Sequence, residues 1–288
     1  MITLSIFIFT DFFNYYNEGF FTMIYDLQKA SVMKRFMAFL LDLILLIILI
    51  TGFMWVFSAV TGYDNYSNSL SEQMTQIEQK HGIPEITKEY EIDIDKYASL
   101  TEEERNKYPE EIRNTLEACI KEINSDPEIS NTYMMIISLT ITMISLSVFF
   151  AVLIAEFIIP ICLKNGQTVG KKIFSIAVMR IDGVKVTPVI MFVRSILGKY
   201  TVEIMIPLII LLMAFLGVGS IVTFGVVVLI VLFEIGLMIF TKTNSMIHDV
   251  LSSTVTVDLA SQMIFDSPEA KQEYQLRIHN EDAKNAKY

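Results

Sequence analysis

VEIMIPLIILLMAFLGVGSIVTFGVVVLIVLFEIGLMIF, residues 202–240, runs for 39 residues with Glu203 and Glu234 as its only charges. A helix needs about 20 apolar residues to cross roughly 30 Å of hydrocarbon, so this stretch is nearly twice one crossing. Two glycines in Gly217-Val218-Gly219-Ser220 permit the tight turn of a helical hairpin, which divides the stretch into helices at about 202–216 and 220–240. Upstream lie two further apolar runs, about 36–60 and 133–163, the second holding one internal acid, Glu156, and ending at Pro160 and Lys164. With 53% hydrophobic residues and a mean hydropathy of +0.50, the 288-residue chain is too apolar for a soluble surface to cover. The expected fold class is an all-α integral membrane protein with about four transmembrane helices.

The net charge of −10 is carried by one segment. Residues 62–132 hold 17 Asp and Glu against seven Lys and Arg, whereas residues 164–199 hold seven bases (Lys164, Lys171, Lys172, Arg180, Lys185, Arg194, Lys199) against one acid, Asp182. Short basic loops beside membrane ends stay in the cytoplasm, and a long acidic loop is translocated largely regardless of its charge. Four crossings then place both termini in the cytoplasm of a cell-membrane protein, with the 62–132 insert outside. Three crossings would put the tail outside, and the five bases and seven acids after Phe240 do not decide between the two.

Within the insert, Thr101 and Glu104 form a capping-box pattern and Pro109 stands early in a helix reaching Ile123, so a small helical ectodomain is expected. Cys119 in the insert and Cys162 near the inner end of the second helix fall on opposite sides of the bilayer, too far apart for a disulfide. Residues 1–22 lack the basic start of a signal peptide; either translation begins at Met23 or the segment is an interfacial anchor. The domain organisation reads as an extension, 1–22, a membrane domain, 23–260, and a polar cytoplasmic tail, 261–288.

At the first apolar run stands KRFMAFLLD, whose Arg35 and Asp42 are seven residues apart, on one helical face and about 10 Å apart along the axis. Later come NGQTVGKKIFSIAVMRIDGVKVT (Asn165–Thr187), then Arg194, and finally NSMIHDVLSSTVTVD (Asn244–Asp258). This combination resembles the RDD family of bacterial membrane proteins, named for an arginine and two aspartates, whose pattern is similar to R-x-x-A-x-x-x-D, then G-Q-T-x-G-K, then a late H-D. The resemblance covers the membrane portion and misses residues 1–22 and the acidic insert. It departs at Ser252-Ser253-Thr254, where the family usually has A-G-T. It implies a multi-pass protein for which ion or solute transport is suggested. Arg35, Asp42 and Asp249 would be the naming residues, with Gly166, Gly170 and Arg194 as further motif positions.

Asp42 sits about seven residues into its helix. A charge near a helix centre costs about 2.5–3.5 kcal/mol on insertion scales, so such acids face a bundle interior, a partner or water. In this topology Glu156, Glu203 and Glu234 also fall in the inner half, and a shared cavity would make the four carboxylates candidates for proton or Na⁺ exchange. The plainer reading has Arg35 neutralise Asp42 while the glutamates fix the packing of the bundle. Gly166–Lys171 has three residues between its glycines where a phosphate-binding loop has four. A turn into strand-like KIFSIAVMRI accounts for it better, with Asp182-Gly183 as hairpin turn and VKVT returning; the lysines would rest on anionic headgroups.

Asp249 would meet Arg35 at the inner surface. His248-Asp249 gains no further ligand from His81 or His279, which lie in other regions, so no metal is expected. Neither a cofactor, a catalytic set nor a nucleic-acid surface is expected. The expected function is a small transporter of cations or protons, working as a homo-oligomer because four helices are few for a complete path. Its rival is a non-transporting scaffold or accessory subunit that binds a partner through the outer loop or the cytoplasmic hairpin.

Overall fold

Long runs of Leu, Ile, Phe and Val close their backbone hydrogen bonds within the segment by becoming helix. The first, Val32–Thr61, forms α1. Shorter helices follow: α2 (Tyr63–Lys80), α3 (Ile83–Tyr90), α4 (Ile94–Ser99), α5 (Glu102–Arg105) and α6 (Glu110–Ser125). α7 runs from Pro127 to Val152, widens to a π-helix over Leu153–Ile158 and ends α-helical at Ile159–Cys162. After α8 (Val169–Ile173) and β1 (Ile176–Arg180), α9 starts at Pro188–Phe192, passes through a π-helical Val193–Met205 and finishes at Ile206–Phe215. α10 (Ile221–Phe240), α11 (Ile247–Leu251), β2 (Thr254–Asp258) and α12 (Pro268–Asn285) complete the order. The computed structural model describes residues 27–215, 221–241 and 243–285. The turn expected at Gly217–Ser220 and the extension 1–22 lie outside the described residues.

Three helices are long and apolar enough to cross a membrane, Val32–Thr61, Pro127–Cys162 and Pro188–Ala214, and Phe224–Phe240 is apolar but shorter. The third corrects the sequence reading, which began that helix at residue 202 and assigned 164–199 to a loop. Hydropathy stops at Arg194 and Lys199, but both are paired inside the fold, with Asp249 and Glu156 respectively, so the helix carries them without exposing a charge.

Both π-helical segments end two residues before a proline, Pro160 and Pro207. Proline has no N–H for the carbonyl four residues back and its ring crowds that carbonyl, and the wider π turn accommodates both. At Pro160 the residue four back is Glu156, and its carbonyl accepts a hydrogen bond from the Ser195 hydroxyl at 2.5 Å.

One compact unit comprises the chain up to Ile50 and from Val148 onward, and a small sheet organises its polar end. β1 and β2 pair antiparallel, from Ile176 opposite Asp258 to Arg180 opposite Thr254. Ala177, Met179, Val255 and Val257 bury one face, while Ile176 packs with Ala30 and Ala38 on the other. Gln28–Ala30 adds an edge, Lys29 bridging Val257. The Asp182-Gly183 turn is present, with Gly183 at φ 84° and Arg180 N–H donating to the Val184 carbonyl at 2.9 Å. The returning segment, however, makes one bridge to β1, Met179 with Lys185. The strand partner is β2, which sets Val255 and Val257 on one face and Thr254 and Thr256 on the other, whereas the returning segment ends at Pro188, where a helix begins.

Residues Thr51–Ser147 form a separate compact unit. Its core joins Ile83, Ile86, Ile92, Ile94, Tyr97, Leu116, Cys119 and Ile123. Gly62 and Gly82, at φ 67° and 68°, turn the chain ahead of α2 and α3, positions an L side chain occupies only under strain. Thr101 and Glu104 make the reciprocal capping box. Lys80 and His81 at the end of α2 both reach Glu122 on α6, at 2.6 and 2.8 Å. Cys119 and Cys162 are free thiols.

Candidate functional site

Gly170 decides where α8 lies. A Cβ there would come within 2.2 Å of the Ala38 carbonyl oxygen, so α8 rests on the α1 backbone and only glycine fits. One turn further along α1, the Asp42 carboxylate accepts hydrogen bonds from Gly170 N–H at 2.8 Å and the Thr168 hydroxyl at 2.5 Å. Thr168 is the N-cap of α8, its Oγ1 accepting from Lys171 N–H. An anion at a helix N-terminus is favoured by the unpaired N–H groups, so the Gln-Thr-x-Gly motif is a docking seat for Asp42. Arg35 is not the partner of Asp42: its guanidinium donates to the Asn244 carbonyl at 2.7 Å and stands 3.5 Å from Asp249.

Asp249 is fully buried, and Arg194, 4% exposed, is its closest partner; Arg194 also donates to Thr254 Oγ1 at 2.5 Å. Burial would raise the Asp249 carboxyl, but Arg194, His248 and Arg35 hold it far below the usual carboxylate range. α11 is pressed onto the π-helix of α9, where a Cβ on Gly198 would come within 2.7 Å of His248. His248 offers its backbone N–H and Nδ1 to Glu203, at 2.8 and 2.7 Å. Glu156 pairs with Lys199. Lys171 is drawn down to about 8 by burial, reinforced by Arg194 and Lys199 and opposed by Glu156 and Asp42. Glu234 on α10 reaches the Glu203 carboxyl, and its Oε1 is buried with no hydrogen-bond partner among the described residues.

The four candidate carboxylates therefore sort into two groups. Asp42 and Glu156 are held by donors from α8 and α9, whereas Glu203 and Glu234 meet each other beside His248. Gly166, at φ 60°, packs against Met191, Val178 and Val186 and turns the chain toward Thr168. Lys199, Ser195 and Thr168 are members of the network that the sequence reading did not single out. The signal for two of them was present: Ser195, Lys199 and Glu203 recur every four residues, the spacing that lines one face of a helix. Among the described residues no group of three or more His, Cys, Asp and Glu is arranged to hold a metal ion.

Long apolar helices tied together by buried ion pairs define a helical membrane protein. The chain belongs to the RDD family, whose model matches residues 29–253 and so takes in Arg35, Asp42, the Gln-Thr-x-Gly seat, Arg194 and Asp249. RDD is a family of bacterial membrane proteins. Searches of the curated proteins and of the solved structures gave no match.

Proposed function

We propose that this RDD protein crosses the cell membrane four times, with both termini in the cytoplasm, and exchanges protons for a monovalent cation such as Na⁺ as a homo-oligomer. The exchanging pair in this reading is Glu203 and Glu234, with His248 holding Glu203 in place. It is supported above all by the contact of two carboxyls, Glu203 and Glu234, one of which keeps a buried oxygen without a donor. Two carboxylates in contact repel unless a proton is shared or a cation lies between them. Asp42, the first choice from the sequence, has its acceptor oxygens occupied by α8, and Asp249 and Glu156 are neutralised by arginine and lysine. In this account those three hold the bundle in register around the exchanging pair.

The test is cation-dependent proton exchange in proteoliposomes of the purified chain, scanned over Na⁺, K⁺ and Li⁺, for wild type, Glu203→Gln and Glu234→Gln. Exchange in wild type and its loss in both normally inserted variants is expected. Absence of exchange in wild type with every cation would remove the proposal. It would favour a scaffold that binds a partner through the Thr51–Ser147 unit, a reading supported by that unit's own closed core and by the 17 acids of residues 62–132. A different protein retained at stoichiometric level through purification is then the expected finding.

A further inference from the structure

Between the end of α7 and the start of α9 the chain encloses a cavity of about 310 Å³, lined among others by Ile161, Lys164, Asn165, Lys185, Thr187 and Pro188. That volume is at the lower end of small-molecule sites, which run from about 300 to 1,000 Å³. Its place is set by two of the apolar helices. Pro127–Cys162 ends, and Pro188–Ala214 begins, at its walls, and the ends of a membrane-crossing helix lie at the depth of the lipid headgroups. Its rim is mixed in character. Ile161 and Pro188 are exposed and apolar, Lys164 is exposed, and Lys185 is half-buried.

The backbone turns sharply at one wall. Lys164, Asn165 and Gly166 hold φ of 63°, 48° and 60° in succession, two of them non-glycine residues in a region such residues rarely occupy. The cost of that bend is met where the chain leaves the helix end and turns back toward Thr168. Two amides of this turn, Lys164 and Gln167, donate to the Ile161 and Lys164 carbonyls, which leaves the charge of the cavity to its lysines.

The geometry points to this cavity as a binding site for the phosphate of an anionic glycerophospholipid, held by Lys164 and Lys185, with its glycerol along Ile161 and Pro188 in the wall and its acyl chains continuing over exposed Val189 and Phe192 on α9, outside the cavity. Two lysines supply the charge, Thr187 a hydroxyl donor, and the apolar rim a path for the chains, a combination that a free inorganic anion would not use. The site also carries its own competitor. Asp266, just ahead of α12, pairs with Lys185 and feels the charge of Lys164. The pair is open to solvent, with Asp266 79% exposed, and such pairs exchange readily. A headgroup would displace Asp266 and free the start of α12.

The test titrates the delipidated full chain in detergent with phosphatidylglycerol, phosphatidylcholine and inorganic phosphate, counting bound molecules by native mass spectrometry. Wild type is expected to prefer phosphatidylglycerol over phosphatidylcholine. Lys164→Gln and Lys185→Gln should each lower that preference by roughly five-fold, the worth of one lysine near an anionic surface. Asp266→Asn should raise it, a gain that damage to the fold would not produce. Equal binding of the two lipids by wild type would overturn the proposal. So would an unchanged preference in the double glutamine variant, a weakened preference in Asp266→Asn, or inorganic phosphate binding as tightly as phosphatidylglycerol.

Discussion

Replacing Asp42 by alanine removes the acceptor for Gly170 N–H at 2.8 Å and for the Thr168 hydroxyl at 2.5 Å, in a position where Asp42 is 7% exposed. A hydrogen bond to a charged group contributes about 1.5–3 kcal/mol, and a buried donor left unpaired carries its desolvation penalty. Two such bonds put the loss at about 3–5 kcal/mol, or a midpoint lower by about 10 °C. Asparagine keeps an oxygen for Gly170 but turns an amide N–H₂ toward Thr168, so Asp42→Asn should lose about 1–2 kcal/mol. Thermal unfolding followed by circular dichroism in detergent, wild type beside both variants, gives the order alanine, asparagine, wild type from least to most stable. An Asp42→Ala protein that unfolds with the wild-type midpoint would refute the docking role, whatever its activity.

Other substitutions have expected outcomes that separate the same network into parts. Asp249→Asn leaves Arg194 and Arg35 without their counter-charge and should destabilise by about 3–5 kcal/mol, while the double change Arg194→Met with Asp249→Leu should recover part of that loss, Arg35 still lacking its partner; no recovery would mean that the Arg194 pair is needed for more than neutrality. Because Asp249 is held below the ordinary carboxylate range, the stability from its pairing is present above the unfolded value of about 3.9 and is lost as pH falls through and below it. The thermal midpoint of wild type should accordingly drop more than that of Asp249→Asn between about pH 6 and about pH 3. Gly170→Ala drives a methyl into the Ala38 carbonyl and should cost about 1–3 kcal/mol or more, which the same unfolding assay reads. Burial pushes the Cys119 thiol up to about 11, so a maleimide should modify exposed Cys162 and spare Cys119 in the folded chain; peptide mapping that finds both labelled alike would contradict the closed core of the Thr51–Ser147 unit.

Apolar length alone located α1, α7 and the described part of α10, because a membrane-length run of Leu, Ile and Phe has one low-energy fate whatever surrounds it. The capping box at Thr101 and the αL turn at Gly183 were legible for the same reason: their chemistry is complete within a few residues. What escaped was settled at long range. Arg194 and Lys199 read as loop residues because the charges that cancel them, Asp249 and Glu156, are 55 and 43 positions away. Asp42 read as an intramembrane carboxylate with Arg35 or a shared cavity as its company because Thr168 and Gly170 are 126 and 128 positions off. The strand at Ile176–Arg180 drew its nearest candidate, the hairpin return, while its partner lies across α9, α10 and α11 in β2. In each case a local pattern gave the residue type, and only tertiary contact gave the partner.

Proton exchange in proteoliposomes, measured for Glu234→Gln beside Asp42→Asn and normalised to folded, inserted protein, separates the exchanging pair from the anchors most directly. Loss of exchange in Glu234→Gln with exchange per folded molecule retained in Asp42→Asn is the expected result. Exchange that survives Glu234→Gln, or that vanishes in a stable Asp42→Asn protein, would contradict it and return the path to Asp42.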